Sequence, residues 1–186
     1  MELPNRKPTR LKNFDYSTEG AYFITICTHN REKILCDIVG GGLTAPYLSV
    51  LRTSPLHRRG VFLDAPKNTE LLPCGKIVEK YINKLNEFYC EINVDKYVIM
   101  PNHIHILLFV SENGASRTSP PTKQHSPVSQ FISTLKRFVN KEIGHNIFQR
   151  SFHDHIIRDE NDYLKIWNYI DTNPHKWESD CFYVKE

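Results

Sequence analysis

The stretch Met100-Pro-Asn-His-Ile-His-Ile-Leu-Leu-Phe109 decides the fold of this chain, because a turn inside it joins two strands. Pro101-Asn102 is typical of a turn, and the segments 91–100 and 103–110 on either side are rich in residues that favour strands. We therefore predict a hairpin. Side chains alternate between the faces of a strand, so the two imidazoles at 103 and 105 are expected on one face and aliphatic side chains on the other.

The elements predicted before this hairpin and directly after it are strands and amphipathic helices. Residues 21–27 are aromatic and β-branched and predict a strand, and residues 33–39 predict a shorter one. Apolar residues recur every three or four positions over 75–89, which predicts a helix. A second helix is predicted to follow Ser126 as N-cap, with Pro127 in its first position, and to end at Gly144.

The C-terminal part of the chain predicts one more strand and one more helix. Residues 150–158 are expected to be extended, and Asp159 or Asn161 is expected to cap a last helix that Pro174 terminates. Strands outnumber β-α-β crossovers, so a mixed or antiparallel sheet with helices packed on one face is expected. The predicted fold class is α+β, in a single domain over residues 1–186.

Two polar segments interrupt this pattern. Residues 40–73 contain three consecutive glycines and four prolines, and predict a long loop with a short strand near 61–63. Residues 113–124 are a second loop rich in serine and proline. Loops of this length are unusual in a compact domain. We interpret about 43–66 and about 113–125 as loop insertions.

Composition excludes several classes of protein. The chain has 186 residues and a formal charge of +3, and no apolar run approaches the ~20 residues of a membrane span. Residues 1–12 are basic and lack the apolar core of a secretion signal. The five cysteines form no Cys-x-x-Cys pair, so a cysteine-based zinc site is not expected. We expect a cytoplasmic protein with reduced thiols and no membrane partner.

His103 and His105 are candidate metal ligands, because two imidazoles on one strand face can bind one divalent ion. The pattern also occurs as two histidines on a solvated strand face, and alone it leaves both interpretations open. A second such pattern, His153-Asp-His155, has a charged middle residue and less apolar flanks. It is interpreted as support for the site, with a plain surface strand as an equal alternative.

The last predicted helix contains a candidate nucleophile. Tyr169 and Asn173 are one helical turn apart and share a face. An apolar stripe that should pack on the sheet lies beside them: Tyr163, Ile166, Trp167 and Ile170. Tyr169 is therefore expected at the edge of the stripe, where its hydroxyl can reach a cleft. A lone tyrosine in such a position is more often a packed aromatic with a solvated hydroxyl.

Five blocks of sequence, taken in order, resemble one known family. They are Arg10-Leu-Lys-Asn-Phe-Asp-Tyr-Ser17, Gly20-Ala-Tyr-Phe-Ile-Thr-Ile-Cys-Thr-His-Asn-Arg31, Tyr97-Val-Ile-Met-Pro-Asn-His-Ile-His105, Gln149-Arg-Ser-Phe-His-Asp-His-Ile-Ile-Arg158 and Tyr169-Ile-Asp-Thr-Asn-Pro-His-Lys-Trp177. Together they are similar to the REP-associated tyrosine transposases, within the single-tyrosine HUH transposase superfamily. The resemblance covers nearly the whole chain apart from the two loop insertions.

The resemblance implies a ferredoxin-like fold and a transposase-like endonuclease that cleaves single-stranded DNA beside hairpin-forming repeats. It implies that the HUH pair, His103 and His105, holds a divalent metal ion, Mg²⁺ or Mn²⁺. It also implies that Tyr169 is the nucleophile and that Asn173 completes the metal shell, at a place where related transposases often carry Gln. Asn173 precedes Pro174, which disfavours helical geometry at Asn173. We expect no small-molecule cofactor.

The expected chemistry is also coherent from the residues alone. A tyrosine hydroxyl has a pKa near ~10, so it needs help to attack at neutral pH. A metal ion on a phosphate oxygen stabilises the developing charge. Attack by Tyr169 would form a phosphotyrosine and release a 3′-hydroxyl, which conserves the phosphodiester energy for rejoining.

DNA contacts are expected from basic residues in two regions and near the second His-x-His pattern. The candidates are Arg6, Lys7, Arg10, Lys12 and Arg31 near the first strand, Lys136 and Arg137 on a helix, and His155 and Arg158 as possible site support. The resemblance places recognition of a hairpin and its short guide on the N-terminal arm. For the two helical residues, an ordinary solvated helix face is the more common explanation.

The function expected from the sequence is therefore metal-dependent cleavage and rejoining of single-stranded DNA through a phosphotyrosine. One alternative is a domesticated DNA-binding or regulatory protein that keeps the fold without strand transfer. Another is a hydrolytic metallonuclease in which water is the nucleophile. Detection of a covalent protein–DNA adduct would distinguish the phosphotyrosine mechanism from both alternatives. A monomer is favoured over the dimers formed by small relatives.

Overall fold

The computed structural model describes residues 18–39, 69–111 and 126–185. The basic N-terminal segment, the short strand expected near 61–63 and both loop insertions lie outside the described residues. Within the described ranges the order of elements is β1 Gly20–Cys27, β2 Cys36–Ile38, β3 Thr69–Leu71, α1 Pro73–Phe88, β4 Ile92–Met100, β5 His103–Val110, α2 Pro127–Ile143, β6 His153–Ile156 and α3 Glu160–Thr172. Short 3-10 helices follow β1 at His29–Arg31 and α3 at Pro174–Ser179.

A four-stranded antiparallel sheet in the order β4-β5-β1-β6 forms the centre of the molecule. The predicted hairpin is confirmed, because β4 pairs with β5 from Met100↔His103 outward. Strand β1 lies on the other side of β5, with Thr25 opposite His105. Strand β5 is therefore an inner strand with a neighbour on each side. Strands β2 and β3 form a separate two-stranded sheet, and β3 was not predicted.

The sheet is covered on both faces. Side chains such as Ile24, Ile104 and Ile106 pack with α1 and α2 in the main core. Leu107, from the opposite face of β5, packs with Ile170 of α3 in a second core. The predicted α+β fold with an antiparallel sheet is confirmed. The prediction that the helices pack on one face holds for α1 and α2, whereas α3 packs on the opposite face. The reason is that both faces of the inner strands are apolar, so the second face also needs a cover.

Local capping explains where the later helices begin and end. The Ser126 hydroxyl accepts a hydrogen bond from the backbone N–H of Ser129, with Pro127 in the first turn, as predicted. Gly144 ends α2 at a φ of +90°, a conformation that favours glycine. Of the two predicted caps for α3, Asp159 is the one used, and it accepts from the N–H of Asp162. None of the helices in the described ranges has both the length and the apolarity that crossing a membrane requires.

Candidate active site

The two histidines of β5 lie side by side and are buried. His103 is 0% exposed and His105 is 1% exposed. Their Nε2 atoms are 3.0 Å apart. The interpretation of a solvated strand face is therefore wrong, and the reason is that α3 and the chain after it cover this face of the sheet.

Side chains from the neighbouring strand and turn hold the outer nitrogen of each ring. Asn102 Oδ1 lies 2.9 Å from His103 Nδ1. The Asn102 Nδ2 group donates to the carbonyl of Phe182, which fixes the amide so that Oδ1 faces the histidine as an acceptor. Thr25 Oγ1 lies 2.9 Å from His105 Nδ1. Because His103 Nδ1 must donate to Asn102, its Nε2 carries a free lone pair, as a metal ligand requires.

Burial keeps both imidazoles neutral. Removal from water lowers the pKa of His103 to about 3, and the positive charge of Arg31 acts in the same direction. Burial also lowers the pKa of His105, and the neighbouring His103 adds to the effect. The neutral imidazole is the form that binds metal ions.

A carboxylate that sequence reasoning missed joins the pair. Ligand atoms of His103, His105 and Asp180 all lie within 4.8 Å of one another. Asp180 follows the 3-10 helix Pro174–Ser179, in a segment without periodicity or a motif, so nothing in the sequence pointed to it. Two imidazole nitrogens and a carboxylate oxygen can hold a divalent ion. Ligands of one ion at ~2.1 Å are typically about 3 Å apart, which matches the spacing of the two Nε2 atoms.

Asn173 lies beside this ligand group. Its Nδ2 donates to Asp180 Oδ2 at 3.1 Å. Its Oδ1 is buried and has no hydrogen-bond partner among the residues that the structure describes. An orphaned amide oxygen next to three ligand atoms is what a bound cation would satisfy. Asn173 is helical, with φ −58° and ψ −45°, so the expected effect of Pro174 on its conformation is wrong. The helical conformation places its amide on the Tyr169 face of α3.

The Tyr169 hydroxyl reaches the same place from α3. It donates to Asp180 Oδ2 at 3.2 Å and lies 3.4 Å from His105 Nε2. Its ring meets those of His105 and Phe23 edge-on. Tyr169 is 37% exposed, so part of its side chain faces solvent while its hydroxyl is directed at the histidines. Burial of the hydroxyl and the charge of Asp180 raise the pKa of Tyr169 above its usual value.

The other aromatic residues of this region do not reach the ligand group with a hydroxyl. Tyr163 donates its hydroxyl to Asp95 Oδ2 at 2.9 Å, on the β4 side of α3. Trp177 is buried in the second core and meets the ring of Tyr183 edge-on. Tyr169 is thus the tyrosine of α3 that the structure brings to the histidines.

The basic residues that the sequence singled out lie in different environments. Arg31 lies over the ring of Phe182, next to the histidines. Lys136 is half-buried, and its ammonium group donates to the carbonyls of Gln149 and Ser151, each at 2.8 Å. Arg137 is exposed. The candidates at positions 6, 7, 10 and 12 lie outside the described residues.

The second His-x-His pattern lies on β6, an edge strand, and is exposed. His155 Nε2 lies 2.8 Å from Asp162 Oδ2 of α3. His153 and His155 pair in register with Thr25 and Phe23, so they line the same face of the sheet as the buried pair, two strands away. Arg158 follows β6 and is exposed. Among the described residues, none of these three belongs to the group that could hold a metal ion.

Comparisons with known proteins identify a relative of this chain and its fold. No family model matches the chain. A protein of Haemophilus influenzae without a characterised function is 30% identical over 198 positions, which cover 98% of this chain and 95% of that protein. The structure of a REP-associated tyrosine transposase bound to a REP hairpin superposes with a TM-score of 0.56 and 18% identity, covering 90% of this chain and 74% of the other. A candidate transposase from Deinococcus radiodurans superposes with a TM-score of 0.39 and 14% identity, over 89% of this chain and 98% of the other. The chain therefore belongs to one family with the Haemophilus influenzae protein, and its fold is that of a REP-associated tyrosine transposase, as the resemblance of its sequence predicts.

Proposed function

We propose that this protein is a metal-dependent endonuclease and transesterase for single-stranded DNA, and that it cleaves beside hairpin-forming repeats through a phosphotyrosine at Tyr169. One observation carries the proposal: the Tyr169 hydroxyl lies 3.4 Å from His105 Nε2 and 3.2 Å from Asp180 Oδ2. A nucleophile and a set of candidate metal ligands thus lie within hydrogen-bonding distance of one another. A buried histidine pair without a nearby nucleophile would support binding alone.

The ligand set has a simple role in this proposal. His103, His105 and Asp180 would hold Mg²⁺ or Mn²⁺, with the Asn173 amide oxygen beside them. When bound, the ion supplies Lewis-acid stabilisation of charge on the scissile phosphate. The hydrogen bonds to Asn102 and Thr25 keep both Nε2 atoms directed toward the Asp180 carboxylate.

Tyr169 supplies the oxygen that attacks phosphorus. Its hydroxyl is hydrogen-bonded to Asp180 Oδ2, so the attacking oxygen is held in place and its proton already has an acceptor. A bond forms between the tyrosine oxygen and phosphorus, and the bond from phosphorus to the 3′-oxygen breaks. The tyrosine proton passes to Asp180, and the 3′-oxygen leaves as a hydroxyl after taking a proton from solvent. The reverse attack by a 3′-hydroxyl rejoins DNA without an external energy source.

The structural neighbour supports the substrate class that we propose. The neighbour is a transposase bound to a REP hairpin, and we extend hairpin recognition to this chain. Tyr169 and the buried histidines lie between α3 and the sheet, and we propose that a flexible single strand reaches them more readily than a stiff duplex. Basic residues at positions 6, 7, 10 and 12 are proposed to hold the hairpin. A monomer contains all of the site residues.

The test is incubation of the purified protein with single-stranded DNA that contains a hairpin and its flanks from the gene's own surroundings, with and without Mn²⁺. We expect a denaturation-resistant protein–DNA adduct only with the metal and only when the cleaved strand is unpaired. Cleavage without an adduct would favour a hydrolytic metallonuclease. Binding without cleavage would favour a regulatory DNA-binding protein.

A further inference from the structure

Arg31 occupies a strained turn at the end of β1. Asn30 and Arg31 both have positive φ values, +50° and +58°. Glycine adopts such values freely, asparagine tolerates them and arginine rarely does. Hydrogen bonds hold the turn, because the Thr28 hydroxyl donates to the carbonyls of Glu32 and Asn102 at 2.8 and 3.0 Å. Strain of this kind is concentrated at functional sites, so the position of the Arg31 side chain needs a functional explanation.

The turn places Arg31 beside the candidate metal-ligand group. Its guanidinium carbon lies 4.6 Å from the centre of the Phe182 ring. The same ring lies 4.6 Å from the ring of His103 and 6.0 Å from that of His105. The arginine charge is close enough to contribute to the lowered pKa of His103. In the described part of the chain, no ion pair within 4.0 Å neutralises Arg31.

We propose that Arg31 binds a phosphate of the cleaved strand at the opening of this site, as a catalytic residue beside Tyr169; the inference rests on the proposed function. A guanidinium that lies over an aromatic ring keeps its N–H donors available at its edge. Those donors match two phosphate oxygens at once, which an ammonium group cannot do. A fixed positive charge there also stabilises the charge that develops during phosphoryl transfer.

The test measures DNA affinity, so that it does not depend on cleavage. Wild type, Arg31→Gln and Lys33→Gln are compared by fluorescence anisotropy with hairpin oligonucleotides that carry one neutral methylphosphonate at each position around the junction. Lys33 is the matched control, since it is a cation in the same segment but lies over Tyr183 instead of Phe182. Thermal unfolding of each variant shows that the fold is retained, and Arg31→Lys provides a second variant with the charge kept.

We expect Arg31→Gln to bind all-phosphate DNA about tenfold more weakly and to lower the salt slope by about 0.7, the value of one single-strand phosphate contact. One methylphosphonate should weaken wild type and Lys33→Gln but have no further effect on Arg31→Gln. Arg31→Lys should be intermediate. If every methylphosphonate affects Arg31→Gln as it affects wild type, the inference is wrong. DNA binding with this pattern but without any adduct would refute only the proposed function, whereas no DNA binding at all would refute both.

Discussion

Replacing Tyr169 by phenylalanine separates the chemistry of the site from its structure. The substitution removes one oxygen and keeps a ring that packs edge-on against His105 and Phe23. Asp180 Oδ2 loses one hydrogen bond but keeps the donor from Asn173. Because Tyr169 is 37% exposed, the lost hydrogen bond should cost about 0.5–1.5 kcal/mol. For a chain of this size that is a fall in Tm of roughly 1–6 °C.

The effect on adduct formation should be far larger than the effect on stability. No other hydroxyl among the described residues is hydrogen-bonded to both Asp180 and His105. We therefore expect Tyr169→Phe to bind hairpin DNA with wild-type affinity and to form no covalent adduct, a loss of at least ~10³-fold. Denaturing gel electrophoresis of labelled DNA measures the adduct, and peptide mapping of the wild-type complex identifies the modified tyrosine.

Tyr163→Phe is the matched control on the same helix. Its hydroxyl donates to the half-buried carboxylate of Asp95, so its loss removes a hydrogen bond to a charged group and should cost about 1.5–3 kcal/mol. The control should thus be the less stable variant and still form the adduct. An adduct that survives in Tyr169→Phe, or a DNA-linked peptide without Tyr169, would refute the reasoning and favour a water nucleophile.

Three further perturbations have expected outcomes. His103→Ala or His105→Ala should abolish metal-dependent cleavage and, since both rings are buried, should also cost about 2–4 kcal/mol; a wild-type cleavage rate in either variant would move the site elsewhere. Lys136→Met should lower Tm, because it loses two hydrogen bonds to carbonyls, and should leave the salt dependence of DNA binding unchanged. If Arg137 contacts DNA, Arg137→Gln should leave Tm unchanged and reduce the salt dependence, which salt titrations measure. Burial raises the pKa of Cys36 to about 12, so at pH 9 the folded protein keeps the thiol proton while the unfolded chain releases it. Iodoacetamide should therefore label Cys36 at pH 9 only in urea. Rapid labelling of the native protein, measured by mass spectrometry, would contradict this.

Local patterns were sufficient to predict the elements of the fold that carry the site. The Pro-Asn turn, the alternation of β5 and the caps at Ser126 and Asp159 are determined by residues close in sequence. Strand β3 was not predicted because it has three residues and pairs with another three-residue strand, too short for any periodicity. The second layer over the sheet was also missed, since a strand pattern that is apolar on both faces does not say which helix covers which face.

The composition of the site was harder to predict than its position. Tyr169 and the histidines lie in regular elements, where spacing gives their direction. Asp180 lies after a 3-10 helix, where direction depends on tertiary contacts such as the one between Phe182 and Asn102. The resemblance to a family drew attention to Asn173, whereas the structure shows Asn173 donating to the carboxylate that approaches the histidines. The sequence alone could not distinguish the candidate ligand Asp180 from its hydrogen-bond partner Asn173.

The two His-x-His patterns show what decides between equivalent motifs. Both lie on strands and both place two imidazoles on the same face of one sheet. Strand β5 is internal, so Thr25 from the adjacent strand and Asn102 from the turn can hold both Nδ1 atoms, and burial keeps the rings neutral. Strand β6 is at the edge, where His155 is exposed and pairs with a carboxylate of α3 instead. The position of an imidazole pair in the sheet therefore decides whether it is a candidate metal site. In this sheet the inner strand β5 has partners for both Nδ1 atoms and excludes water from both Nε2 atoms, whereas the edge strand β6 leaves its imidazoles exposed.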